Sequence, residues 1–231
     1  MTYEFFRSRS QEAPIRFLKE YRGYLQADAF PGYDRLYADG KIREVACLVH
    51  ARRKFIEAAE LLKAPSRAHE ALRFFKALFR IERRIEPLSD EERHQQRQRR
   101  SVPILKNFKL WLQRQANAVL PKSVLGEAVH YSLRHWDALY RYTAVGYLEA
   151  SNNFFERCMR TVAVGRKAFL FVGSERAGHA AAIYYSIVES CRVNNVNPLS
   201  YLTYVLQNVR NNSSHLMTPD EYASGDLRSI D

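Results

Sequence analysis

The chain has 231 residues, 46% hydrophobic and 26% charged, a composition that fits one or two folded domains and excludes an intrinsically disordered chain. No apolar run approaches the roughly 18–20 residues of a membrane span, and the opening MTYEFFRSRS holds no signal-peptide stretch. Lys and Arg number 36 against 25 Asp and Glu, a net charge of +11 with a pI near 9.7, which is the electrostatic footprint of a nucleic-acid binder.

In chain order, Thr2 to Phe6 is a short aromatic strand candidate, followed by a basic, polar stretch. Ala13 to Tyr21 carries apolar residues at helical spacing and ends at Gly23. Tyr24 to Ala27 predicts a buried strand running into Asp28, and Phe30-Pro31-Gly32 is turn chemistry. A short helix over Tyr33 to Ala38 leads to a second buried strand over Glu44 to Val49, and a helix over Ala51 to Lys63 follows. From there to about residue 145 only helices are predicted. They run over Ala68 to Ile85, from a capping box at Ser89 and Glu92, over Val102 to Val119 and over Ser123 to Tyr142, with Pro65, Pro87, Pro103 and Pro121 as punctuation. Strands that give way to some 80 helical residues suggest an α/β domain carrying a helical insertion. Tyr147 to Ala150 is β-permissive, and Ser151-Asn152-Asn153 offers helix caps for Phe154 to Val164. Gly165-Arg166-Lys167 is expected to interrupt that helix. Two more helices follow, His179 to Cys191 and Pro198 to Val209, before a polar tail.

Two carboxylates stand out. Asp28 sits at the carboxyl end of a predicted strand, where α/β sheets place ligand-binding groups. Taken alone, it also reads as a turn-initiating residue. Glu156, in Asn152-Asn153-Phe154-Phe155-Glu156-Arg157, also reads as a capping partner of Asn153 or an ion-pair partner of Arg160. Two acids on different elements of a basic chain fit two-metal phosphoryl chemistry, which needs hard oxygen ligands and normally three carboxylates. Basic residues form the other constellations. His50, Arg52, Arg53 and Lys54 sit where a strand enters a helix, a position suited to phosphate. Arg157, Arg160, Arg166 and Lys167 accompany Glu156. From Arg73 to Arg114 twelve Lys or Arg face five Asp or Glu, with Phe74, Phe75, Phe79, Phe108 and Trp111 interleaved as core residues. Cys47, Cys158 and Cys191 form no CxxC pair, so no zinc ribbon or finger is expected.

The blocks GYLQADAFPGYDRLY, CLVHARRKFIEA and YLEASNNFFERCMRTVAVGRKAFLFVGSERAGHAAAIYYSIVESCRVNNVNPLSYLTYVL together resemble the catalytic domain of the insertion sequence 66 family of bacterial transposases, from about Tyr3 to Val209. The resemblance implies a DDE transposase with a ribonuclease-H-like core. Two Asp and one Glu would bind Mg²⁺, with Asp28 in the second acidic position and Glu156 as the Glu. It implies an incomplete α/β core over 1–64 and 146–210, a helical insertion over 65–145 and a polar tail over 211–231. The first catalytic Asp of the family lies on a strand preceding the segment that opens this chain, so the chain is expected to be inactive alone. DNA cleavage and strand transfer at transposon ends and target are the implied activity. Contacts to DNA fall to Arg52, Arg53, Lys54, Arg157, Arg160, Arg166 and Lys167. Other transposase subunits or a separately encoded N-terminal part are the implied partners, and the bacterial cytoplasm, with its nucleoid, the implied location. A non-catalytic DNA-binding remnant is the alternative. A non-transposase ribonuclease-H-like nuclease fits the Asn-Asn-x-x-Glu-Arg block less well.

Overall fold

The structure is a computed structural model and describes residues 1–8, 10–28, 31–62, 65–168, 171–209 and 216–225. Phe30, Phe169, Leu170 and most of the polar tail lie outside the described residues. The chain divides into two compact units, Ser10–Phe154 and Met1–Arg9 with Phe155–Asp231.

The larger unit is helix-rich around a small parallel sheet, an α+β arrangement. After α1 (Glu12–Phe17), β1 (Gly23–Ala27) pairs with β2 (Ile42–Ala46) in the register Gly23 to Ile42 through Ala27 to Ala46. The connection carries a 3-10 turn at Pro31–Tyr33 and the one-turn α2 (Asp34–Tyr37). Gly23 opens β1 at φ +126°, an angle other residues avoid, and its N–H reaches Lys41 O at 3.0 Å. β2 is the buried strand, with Ile42, Val45 and Ala46 inside, whereas β1 is half-buried until Ala27.

Among the described residues, helices joined by turns follow: α3 (Leu48–Leu62), α4 (Arg67–Ile85), α5 (Asp90–Gln96), α6 (Val102–Ala116), α7 (Val124–Arg134) and α8 (Trp136–Tyr140). Their sequence periodicity explains the packing. Phe55, Phe75 and Phe108 come from the inward faces of α3, α4 and α6 and meet with ring centroids 5.1–6.2 Å apart. Phe74 stacks on Phe108 at 4.9 Å, and Phe79 and Trp111 pack around the rim of this cluster. Ser89 caps α5 with the capping box that its sequence predicts. Between α5 and α6 the backbone widens into one π turn, Arg97–Ser101.

In the smaller unit, α9 (Asn153–Ala168), which starts two residues before the division, is followed in chain order by α10 (Glu175–Val193), α11 (Pro198–Asn208) and α12 (Pro219–Ser224). Asn197 caps α11 by accepting from the N–H groups of Leu199 and Ser200, as its Asn-Pro start predicts. Thr161 and Arg192 both donate to the buried Glu189, tying α9 to α10.

Three local expectations are corrected. Thr2 to Phe6 forms no strand; Tyr3 N–H instead donates to Ser186 Oγ of α10 at 2.8 Å, and Phe5 packs over Gly178. Tyr147 to Ala150 is also not a strand, although Ala150 O accepts from Leu48 N–H at 3.0 Å. Finally, α9 runs through Gly165-Arg166-Lys167 to Ala168, because one Gly costs a helix only about 1 kcal/mol and does not by itself end it.

Candidate functional site

The carboxyl ends of the two parallel strands organise the larger unit's candidate site. At the end of β1, Ala27 is buried and Asp28 emerges exposed. At the end of β2, Ala46 and Cys47 are buried, and α3 starts immediately at Leu48. A third piece of chain, residues 149–152, is fastened to these ends at three points. Gln26 Nε2 donates to Glu149 O at 2.7 Å, Leu48 N–H donates to Ala150 O, and Asn152 N–H meets Cys47 Sγ at 3.5 Å. The run then enters α9 at Asn153. Asn152 Oδ1 is buried without a hydrogen-bond partner among the described residues.

Three tyrosines, Tyr33, Tyr37 and Tyr131, feel the charge of Asp28. Burial, and then the Asp28 carboxylate, raise the Tyr33 hydroxyl above its ordinary range. Burial likewise lifts Tyr131, helped by Cys47, Asp28 and Glu44. Tyr37 is pushed higher still by burial and then by Glu44, Tyr33, Asp34 and Asp28. These hydroxyls therefore remain protonated donors. Burial also raises Glu44, with Asp34 adding to the shift and Arg141 opposing it. His135 is lowered by burial and by Arg134, against the pull of Asp34. Sequence reasoning assigned a role to none of these neighbours. Tyr33 and Tyr37 at i, i+4 were the available signal, but that spacing equally describes one face of any helix.

The basic residues divide in two. Because α3 begins at Leu48 rather than Ala51, Arg52 and Arg53 stand in its second turn, exposed, and are not at its N-terminus as expected. Lys54 is half-buried, with its ammonium 4.9 Å above the Tyr131 ring. Cys47 is a buried cysteine that forms no disulfide among the described residues, and His50 is half-buried.

Glu156 lies in the first turn of α9, in the smaller unit, and is half-buried. Arg157, Arg160, Arg166 and Lys167 are all exposed on that helix. At roughly 100° per residue, Arg160 and Lys167 share the side of Glu156, and Arg157 and Arg166 flank it on either side. Arg160 forms no ion pair among the described residues, so the Glu156–Arg160 pair that the spacing allows is not made. Asp28 and Glu156 thus belong to different compact units.

Residues 1–180 match the family model described as Transposase IS66 family, and residues 186–216 match the IS66 C-terminal element. Among curated proteins, the uncharacterized protein y4jD of Sinorhizobium fredii is 34% identical over 92% of this chain and 42% of its own length. Two others from the same organism, y4hP and y4qI, are 33% and 29% identical over 87% and 90% of the chain. The chain spans about two fifths of the length of these relatives. No solved structure matches it.

Proposed function

The chain belongs to the transposase IS66 family, and from that premise we propose that it is part of the catalytic domain of a DNA transposase of insertion-sequence type. The reading is DDE chemistry on a ribonuclease-H-like core, in which Asp28 and Glu156 are two of the carboxylates that hold Mg²⁺. The observation that carries it is Asp28 at the carboxyl end of a parallel strand, with the run that leads into α9 hydrogen-bonded to the ends of both strands. In parallel sheets that edge is where groups from separate segments converge on a ligand.

The donor set fits Mg²⁺ in kind, since both candidates are carboxylates and the ion prefers hard oxygen ligands. When bound, such ions activate an attacking hydroxyl and stabilise a leaving 3′ oxygen. This chain's own share is binding and orientation. Asp28 and Glu156 would hold the cations, while Arg52, Arg53 and Lys54 on α3, with Arg157, Arg160, Arg166 and Lys167 on α9, would neutralise backbone phosphates flanking the scissile bond. Tyr33 and Tyr131, kept protonated, supply hydroxyl donors beside Asp28.

The test replaces Mg²⁺ with Fe²⁺ and peroxide, so that hydroxyl radicals cut the polypeptide next to bound metal. Cuts near both Asp28 and Glu156, each lost in Asp28→Asn and Glu156→Gln, are expected. Cuts at only one of them, or cuts that survive both substitutions, would show that the two carboxylates do not share a site. In a transposition assay with the full-length family protein, either substitution is expected to lower activity on the order of a hundredfold or more. The alternative, a chain that binds DNA without cutting it, predicts unchanged DNA affinity and no metal-directed cuts.

A further inference from the structure

We propose that the outward face of α4 is a second docking surface, for the sugar-phosphate backbone of duplex DNA, built from residues that take no part in the strand-end site. The proposal rests on the reading of DNA as substrate. Arg73, Lys76, Arg80, Arg83 and Arg84 are all exposed on α4. At about 100° per residue they fall within an arc of roughly 100°, and at about 1.5 Å rise they span roughly 16 Å of helix. The opposite face buries Ala71, Phe75 and Leu78.

No acid interrupts the stripe. Glu82 is the sole carboxylate between Arg73 and Arg84, and it turns inward, where Arg97 Nη2 holds it at 2.6 Å. None of the five cations forms an ion pair among the described residues. Their spacings of three and four residues place like charges side by side, which works against helix stability unless an anion covers them. The neighbouring α5 shows the ordinary arrangement, with Arg93 near both Asp90 and Glu149.

The chemistry selects the occupant. Four of the five are guanidinium groups, whose forked donors match phosphate oxygens. Phosphates repeat about every 3.4 Å of axis along one strand, so roughly 16 Å covers about five base pairs. An anionic membrane is the poorer fit, because an interfacial helix must present its apolar face, and here that face is the protein core. Contacts of this kind read no bases, so the surface binds duplex regardless of sequence.

The experiment measures binding of a short labelled random-sequence duplex by fluorescence anisotropy, in EDTA, across a salt series. One variant carries Gln at Arg73, Lys76, Arg80, Arg83 and Arg84. A second, of equal charge, carries Gln at the exposed Lys19, Arg22, Arg35, Lys41 and Lys122. Gln keeps helix propensity, and far-ultraviolet dichroism checks the fold. Each lost phosphate contact lowers the slope of log K against log salt by about 0.9, so the α4 variant is expected to lose about 3–4 units of slope and tenfold or more in affinity. The control variant is expected to lose less than about one unit. Equal losses in both would reduce the effect to net charge and overturn the proposal, as would an unchanged α4 variant. Tighter binding to anionic vesicles than to duplex, lost in the α4 variant, would assign the face to membrane and overturn it too. A wild-type chain that binds no duplex at low salt would instead remove the DNA reading itself.

Discussion

Arg97 shows how a charged residue inside a core can be made tolerable. Its side chain is fully buried and all three of its nitrogens donate hydrogen bonds. Nε and Nη2 fork onto Glu82 at 2.6–3.2 Å, and Nη1 donates to the carbonyls of Tyr142, Val145 and Gly146 at 3.0–3.1 Å. The charge thereby anchors the turn from which residues 147–152 run to the strand ends. Breaking one partner leaves a buried carboxylate and three carbonyls short of a donor. Arg97→Ala is therefore expected to cost about 3–5 kcal/mol in urea unfolding, and Arg97→Met with Glu82→Leu markedly less. A double variant as damaged as the single one would disprove that account. Glu44 works the other way. Its carboxyl is raised above 4.5 by burial and Asp34, so the folded state holds a proton that the unfolded chain has already released. Stability from this residue falls as pH rises through that interval and stays lower at neutral pH. Glu44→Gln is expected to raise the melting temperature at pH 7 and leave it nearly unchanged at pH 4. The opposite ordering would contradict the assignment.

Helices are delimited here by local chemistry at some ends and by packing at others. The Ser89 capping box and the Asn197 cap follow from their sequences, because the side chain that satisfies each free N–H is only a few residues away. The start of α3 at Leu48 does not. Its first N–H is met by Ala150 O, a partner 102 residues distant in the chain, so no local motif marks it. Gly146 is another long-range constraint: a Cβ there would lie 1.8 Å from Asp90 O, a backbone atom that cannot swing aside. Ser89→Ala should cost about 1 kcal/mol. Gly146→Ala should cost about 1–3 kcal/mol or more by forcing backbone apart, and should loosen hydrogen-exchange protection at Leu48. Equal, small losses from both would mean that the turn at 146 gives way freely.

For the molecule as a whole, charge sets the expectation. A net charge of +11 predicts DNA binding that weakens steeply with salt. Duplex affinity that stays level across a salt series would contradict it. Among the described residues no helix is long and apolar enough to cross a membrane.

Periodicity and composition alone marked most helices of the larger unit, the two strands on either side of Asp28, the aromatic core and the excess of basic residues from Arg73 to Arg114, but not the start of α3 or the break at His135 between α7 and α8. The features so marked rest on forces between near neighbours or on burial of one face of an element. The family, too, was legible, because its blocks keep their residues and order. Tertiary structure alone decided which distant groups meet: Arg97 with the carbonyls of residues 142–146, Cys47 with Asn152, and the Tyr33 and Tyr131 hydroxyls with the charge of Asp28. It also decided that Thr2 to Phe6, which reads as a strand by propensity, lies on α10 instead. A strand needs a partner edge, and the availability of one is not encoded in the segment itself.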